Sequence, residues 1–150
     1  NKIKISLIEN KPIAIWQNKK GNNILTKEGA LISDYNFNFF KNKLPIIKGK
    51  NINQNIIEIL YILKTNKSMA NEIWSLSYIN MRRWDLHFKQ GLVIRLPSNN
   101  PTEAWKLAAK LNQKYNILNL GLTEIDLRNS KQILGKINFD KGLIINRKSS

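Results

Sequence analysis

The chain has no cysteine and a single histidine, His87. The first absence removes disulfides and thiolate metal sites. The second removes a histidine metal cluster and a conventional Ser-His-Asp triad with a spare base. Acidic residues are scarce: four aspartates (Asp34, Asp85, Asp126 and Asp140) and six glutamates, with no pair at a spacing diagnostic of acid–base work. Glycine-rich phosphate loops are missing as well. No cofactor, no small-molecule substrate and no catalysis are therefore expected. No apolar run is long enough to cross a bilayer. The opening residues, Asn1 to Ser6, read as a strand rather than a leader, so a piece of a longer protein is expected.

What the chain has in excess is lysine, asparagine and isoleucine. Its 150 residues carry 25 basic and 10 acidic side chains, a net charge of +15, and 42% are hydrophobic. That length and apolar content suit one domain with a real core. Such a charge can signal nucleic acid or an anionic membrane surface. Twenty of the 25 basic residues are lysine, scattered in runs no longer than two, whereas phosphate readers favour the planar arginine fork. Nucleic-acid binding is not expected, and a lysine-mediated contact with anionic lipid remains compatible with the composition.

The hydrophobic period assigns the elements. Ile3, Ile5 and Leu7 alternate with Lys4 and Ser6, which predicts a strand over 2–8. Extended runs follow at 13–17, 24–26 and 30–32, separated by turn chemistry at 18–23 and at Glu28-Gly29. Leu44 to Ile47 is another short strand, closed by Gly49. Ile56, Ile59, Leu60 and Leu63 recur at helical spacing, which predicts a helix over 53–64. A strand over 73–79 comes next, then a hairpin of 84–88 and 92–96 around Lys89-Gln90-Gly91. Pro101 opens a second helix behind an Asn99 or Asn100 cap, with Ala104, Leu107, Ala108 and Leu111 inward. Strands at 122–127 and 133–137 finish the chain. The expected class is α+β, a mainly antiparallel sheet with two helices packed on it, rather than a parallel βαβ sheet. Trp16, Trp74, Trp84 and Trp105 are expected in the core, and His87 in a structural or surface role.

At Arg82-Arg83-Trp84-Asp85-Leu86, followed by Gly91 and Leu96-Pro97, the chain resembles the FtsQ/DivIB family of bacterial cell-division proteins, most closely those of α-proteobacteria. Other matches fall in the family's order: Glu9, Pro12, Ala14 and Trp16; Glu28-Gly29; Leu44-Pro45 with Gly49; and Ile125-Asp126-Leu127-Arg128. The resemblance implies a division into residues 1–10, the last strand of a POTRA domain, and 11–150, the family's β domain. It also implies a parent held in the inner membrane by one N-terminal helix, with this domain periplasmic at the division septum. The implied role is assembly without catalysis: binding FtsB and FtsL, linking early to late division proteins upstream of septal peptidoglycan synthesis.

The binding mode that the resemblance implies is addition of a partner strand to an exposed sheet edge. Its contact residues would be Arg82 and the late strand, Thr123, Glu124, Ile125, Asp126, Leu127, Arg128, Asn129 and Ser130, which should offer a free edge to FtsB. Alternation puts Thr123, Ile125 and Leu127 on one face and Glu124, Asp126 and Arg128 on the other. Arginine suits this task because its fork can hold a carboxylate by two hydrogen bonds. Asp126 and Arg128, two apart on one face, can equally pair with each other. Asn129 stands where some family members carry an aromatic residue, and no tryptophan follows it.

Overall fold

The structure, a computed structural model, describes residues 11–32, 37–52, 55–137 and 142–146. The strand expected at 2–8, and with it the division at residue 10, lies outside the described residues, as do the first two positions of the helix expected at 53–64.

The described residues build one ten-stranded sheet. Its strands are β1 (Pro12–Asn18), β2 (Gly21–Thr26), β3 (Leu31–Ile32), β4 (Ile46–Lys48), β5 (Ile73–Ile79), β6 (Arg83–Phe88), β7 (Val93–Arg95), β8 (Leu122–Asp126), β9 (Gln132–Ile137) and β10 (Gly142–Asn146). In space they run β10-β9-β8-β7-β6-β5-β4-β1-β2-β3. The helices are α1 (Phe37–Phe40), α2 (Ile56–Leu63), α3 (Lys67–Ala70) and α4 (Pro101–Tyr115).

The α+β class holds, but the sheet is mixed. The pairings β1–β4, β4–β5 and β7–β8 are parallel, and the other six are antiparallel. Two of the parallel pairings come from helical crossovers, α2 with α3 between β4 and β5, and α4 between β7 and β8. A helix returns the chain to its starting side, so the next strand runs the same way. The expectation of a mainly antiparallel sheet is thus corrected by two βαβ units. The helices α1 and α3, four residues each, and strand β10 were not expected from the sequence.

Two hairpins show why the chain turns where it does. Gly91 closes β6 onto β7 at φ 94°, with Phe88 N donating to Leu92 O at 2.8 Å. In the three-residue connection between β5 and β6, Asn80 and Met81 both adopt φ 52° and Arg82 N donates to Ile79 O at 3.0 Å, a turn whose twist suits a right-twisted hairpin. Tyr78 Oη donates to the Met81 carbonyl at 2.8 Å and braces this turn. The next residue is Arg82.

The core lies on one face of the sheet. Ile47, Leu76, Leu86, Ile94 and Ile125 stand in register across five strands and pack under Ile56 and Ile59 of α2 and Trp105 and Ala108 of α4. Helix α4 starts at Pro101, where a missing N–H costs nothing. Asn100 occupies the cap position but gives no side-chain hydrogen bond. In β1 both Ala14 and Ile15 are fully buried, which explains why that strand does not alternate.

Of the four tryptophans, Trp105 and Trp84 are buried, and Trp16 is half-buried with Nε1 donating to Gly49 O at 3.1 Å. Trp74 corrects the expectation, because it is 46% exposed. The β5–β6 register shifts between Ile73 and Ser75, and this bulge turns the Trp74 ring outward against His87, with ring centroids 6.1 Å apart.

Candidate functional site

The face of the sheet opposite the helices is polar from β5 to β9. Ser77, Asp85, Arg95 and Asp126 form one row in register. The neighbouring row is Ser75, His87, Val93, Glu124 and Lys136. Arg95 ties the rows together, with Nη1 on Asp85 Oδ2 and Nε on Glu124 Oε1, each at 2.6 Å. Arg83 pairs with the other Asp85 oxygen, and Lys136 reaches Glu124 Oε2 at 3.4 Å. Asp85 is almost fully buried; a lone buried carboxylate would be costly, and the two guanidinium groups offset that cost. The Arg95 hydrogen bond holds the Glu124 carboxyl below the usual carboxylate range, against the opposing effect of burial. Burial pushes the His87 imidazole down, with Asp85 acting in opposition; its Nε2 lies 3.1 Å from Ser77 Oγ.

At the end of this face, a cleft of about 600 Å³ opens between the β5–β6 turn, the start of α4 and the end of β8. Arg82, Arg83, Ser98, Asn100, Arg128 and Ser130 are among its lining residues. Arg82 and Arg128, 46 positions apart in the chain, thus meet at one site. Arg82 is exposed and enters no ion pair among the described residues. Arg128 is exposed but engaged: Nε and Nη2 hold the Asp126 carboxylate at 2.5–3.0 Å. That contact holds the Asp126 carboxyl below its ordinary range.

The expected contact set divides in three. Ile125 and Leu127 are core residues. Thr123 sits at a register shift and donates to Lys136 O at 3.2 Å, while Glu124 and Asp126 are held by intramolecular arginines. Arg82, Arg128, Asn129 and Ser130 face solvent. Asn129 Oδ1 accepts from Lys131 N at 2.9 Å and Asp126 Oδ1 from Arg128 N at 3.0 Å. These two side-chain turns send the chain from β8 into β9.

The free edge expected at Thr123–Ser130 does not exist. Strand β8 lies between β7 and β9 and is paired on both sides. Among the described residues, the ends of the sheet are β3 and β10. The sequence reading missed that the hairpin β9–β10 continues beyond β8; the apolar run Leu143-Ile144-Ile145 was its signal. It also missed Arg95 and Lys136 as partners of the acidic residues. The alternation Arg83-Asp85-His87 announced a polar face, but not which strands would lie beside it.

Among the described residues, no helix is long and apolar enough to cross a membrane, and no cluster of three metal-ligating side chains occurs. Residues 14–128 match the family model described as cell division protein FtsQ/DivIB, C-terminal. The cell division protein FtsQ of Zymomonas mobilis is 29% identical over 125 residues, 83% of this chain and 39% of that protein. FtsQ of Rickettsia bellii is 32% identical over 130 residues, 87% of this chain and 48% of that protein. A solved structure of the major extracytoplasmic domain of DivIB from Geobacillus stearothermophilus is similar at a TM-score of 0.47 with 12% identity, covering 73% of this chain and 96% of that one. The chain spans less than half the length of these two curated relatives. With the family model matched from the first core strand to the end of β8, the chain belongs to the FtsQ/DivIB cell-division family, in its C-terminal domain.

Proposed function

We propose that this domain is a non-catalytic binding module of the bacterial division machinery, recruiting FtsB and with it FtsL, and linking early to late division proteins ahead of septal peptidoglycan synthesis. In this reading the parent chain is anchored in the inner membrane, and the domain faces the periplasm at the septum. The observation that carries it is the cleft where Arg82, in no ion pair among the described residues, meets Arg128. A guanidinium without an internal partner is suited to a partner carboxylate.

The sheet supports strand addition at β10 instead of β8. Strands lie about 4.8 Å apart, so a segment added outside β10 runs roughly 14 Å from β8 and roughly 24 Å from β6. One short strand cannot pair with the edge and also reach Arg82. The partner must continue past the Asn129-Ser130 turn, for about six to eight extended residues at roughly 3.3 Å each, to bring an acidic side chain to the cleft.

Calorimetric titration with the extracytoplasmic part of the matching FtsB tests both halves. Arg82→Glu should weaken binding by about 2–5 kcal/mol if the partner carboxylate is buried there, through like-charge repulsion. Successive amides on a strand point to opposite sides, so either Ile144→Pro or Ile145→Pro removes an outward donor and blocks the ladder. If the charge reversal and both proline variants fold and bind FtsB as wild type does, the interface lies elsewhere.

A further inference from the structure

The helix face carries a feature that the binding site above does not use. Helix α2 reads Ile-Ile-Glu-Ile-Leu-Tyr-Ile-Leu, apolar on every side except at Glu58. Such a helix belongs in an interior. Its Ile56, Ile59, Ile62 and Leu63 are buried as expected, yet Ile57 is 53% and Tyr61 75% exposed. These two stand one helical turn apart, so they form a continuous outward row.

That row borders a groove of about 430 Å³. Leu63, Ile73 and Leu76 line it from the core side, Ile13 and Pro45 from the strand side, and Lys27, Lys64 and Lys67 supply its charge. Its volume falls in the range of about 300–1,000 Å³ typical of ligand-binding clefts. Among the described residues, none of the three lysines enters an ion pair. The groove shares no lining residue with the arginine cleft.

We propose that this groove is a second docking surface, and that its occupant is an acidic amphipathic helix of another polypeptide. Two observations choose that occupant. The strands at the groove, β1, β4 and β5, are all interior to the sheet, so no unpaired backbone is on offer and an added strand has nothing to pair with. Recognition must run through side chains, the helix-in-groove mode, with apolar anchors at i, i+3 or i+4 and i+7. The charge of the lining is wholly positive, which selects glutamate or aspartate flanking the apolar stripe of the occupant.

The test uses the whole 150-residue chain and synthetic 18-residue helical peptides with one leucine stripe, flanked by glutamate, by lysine, or scrambled. The glutamate-flanked peptide should bind at least tenfold tighter than the other two. Ile57→Glu and Tyr61→Ala alter exposed positions, so the fold should survive, and each should weaken that binding at least fivefold. The double change Lys64→Glu with Lys67→Glu should reverse the preference toward the lysine-flanked peptide. Arg82→Glu should leave groove binding unchanged, which separates this surface from the FtsB site. Equal binding of all three peptides, indifference to the groove variants, or capture by phosphatidylglycerol vesicles with no peptide binding would each overturn the proposal.

Discussion

Replacing Arg95 by methionine tests whether the charged face holds the sheet together or merely decorates it. Methionine keeps the apolar stem and removes the fork. Arg95 supplies one bond to each of two carboxylates, at 2.6 Å to Asp85 and 2.6 Å to Glu124. Removing one partner from a buried ion pair typically costs about 3–5 kcal/mol. Here Asp85 keeps Arg83, and Glu124 keeps only a solvent-exposed lysine at 3.4 Å, a contact worth little. The expected loss at pH 7 is therefore about 2–3 kcal/mol. The loss should also depend on pH. Glu124 has its carboxyl depressed in the folded state, first by the Arg95 bond. That contribution is fully present above the unfolded value of about 4.3 and disappears as pH falls through the lower folded value. The gap between wild type and variant should then narrow below about pH 4. Urea unfolding followed by tryptophan fluorescence at pH 7 and at pH 3.5 measures both quantities. A difference under about 0.5 kcal/mol at pH 7, or one that stays constant on acidification, would refute the reasoning.

Two further substitutions test the packing. Gly49 lies at φ 141°, and a Cβ there would sit 2.8 Å from Tyr78 Cβ and 2.9 Å from the Tyr78 carbonyl. Gly49→Ala should cost about 3 kcal/mol or more in urea unfolding, combining overpacking with backbone strain. Trp105 is fully buried, and its Nε1 finds no hydrogen-bond partner among the described residues. Trp105→Phe should stay within about 1.5 kcal/mol of wild type, because losing an unsatisfied donor offsets the lost ring area. Trp105→Ala sheds the same donor but opens a large cavity, and should cost about 3–5 kcal/mol in the same assay.

How much of this was legible in the sequence depended on distance along the chain. Strand β5 was read to its limits because Trp74, Leu76 and Tyr78 alternate with serines. The bulge that throws Trp74 outward was not, because it arises from pairing with β6. Helix α4 announced itself by Pro101 and the apolar stripe Ala104, Leu107, Ala108 and Leu111, while α1 and α3 are single turns, too short for a period to register. Two of the three parallel pairings join strands whose contact depends on the helical crossover between them, and no local pattern specifies that neighbour. The same limit misplaced the free edge. Alternation over Glu124–Arg128 gave the two faces of β8, but Thr123, at the register shift before Glu124, does not join Ile125 and Leu127 in the core, and a strand's rank in the sheet is set by what pairs beside it.

The two arginines of the cleft are not equivalent, and the difference is measurable. Arg128 spends Nε and one Nη2 hydrogen on Asp126, leaving only part of its five donors for a partner. Arg82 has no such competitor among the described residues. A partner carboxylate should therefore draw most of its binding from Arg82, and Arg82→Ala should weaken FtsB binding by about 1.5–3 kcal/mol, the worth of a charge-assisted hydrogen bond. Arg128→Ala is harder to interpret, because it uncovers the Asp126 charge beside the site. Asp126→Asn separates the two effects. It removes the internal carboxylate that Arg128 holds, frees the fork for the partner and takes one negative charge from the rim. Binding should tighten by about 0.5–1 kcal/mol on Asp126→Asn, and the gain should vanish when Arg128 is also replaced by alanine. Calorimetry on the two single variants and the double variant completes the cycle. If Asp126→Asn weakens binding instead, Asp126 touches the partner directly, and Arg128 serves to orient it.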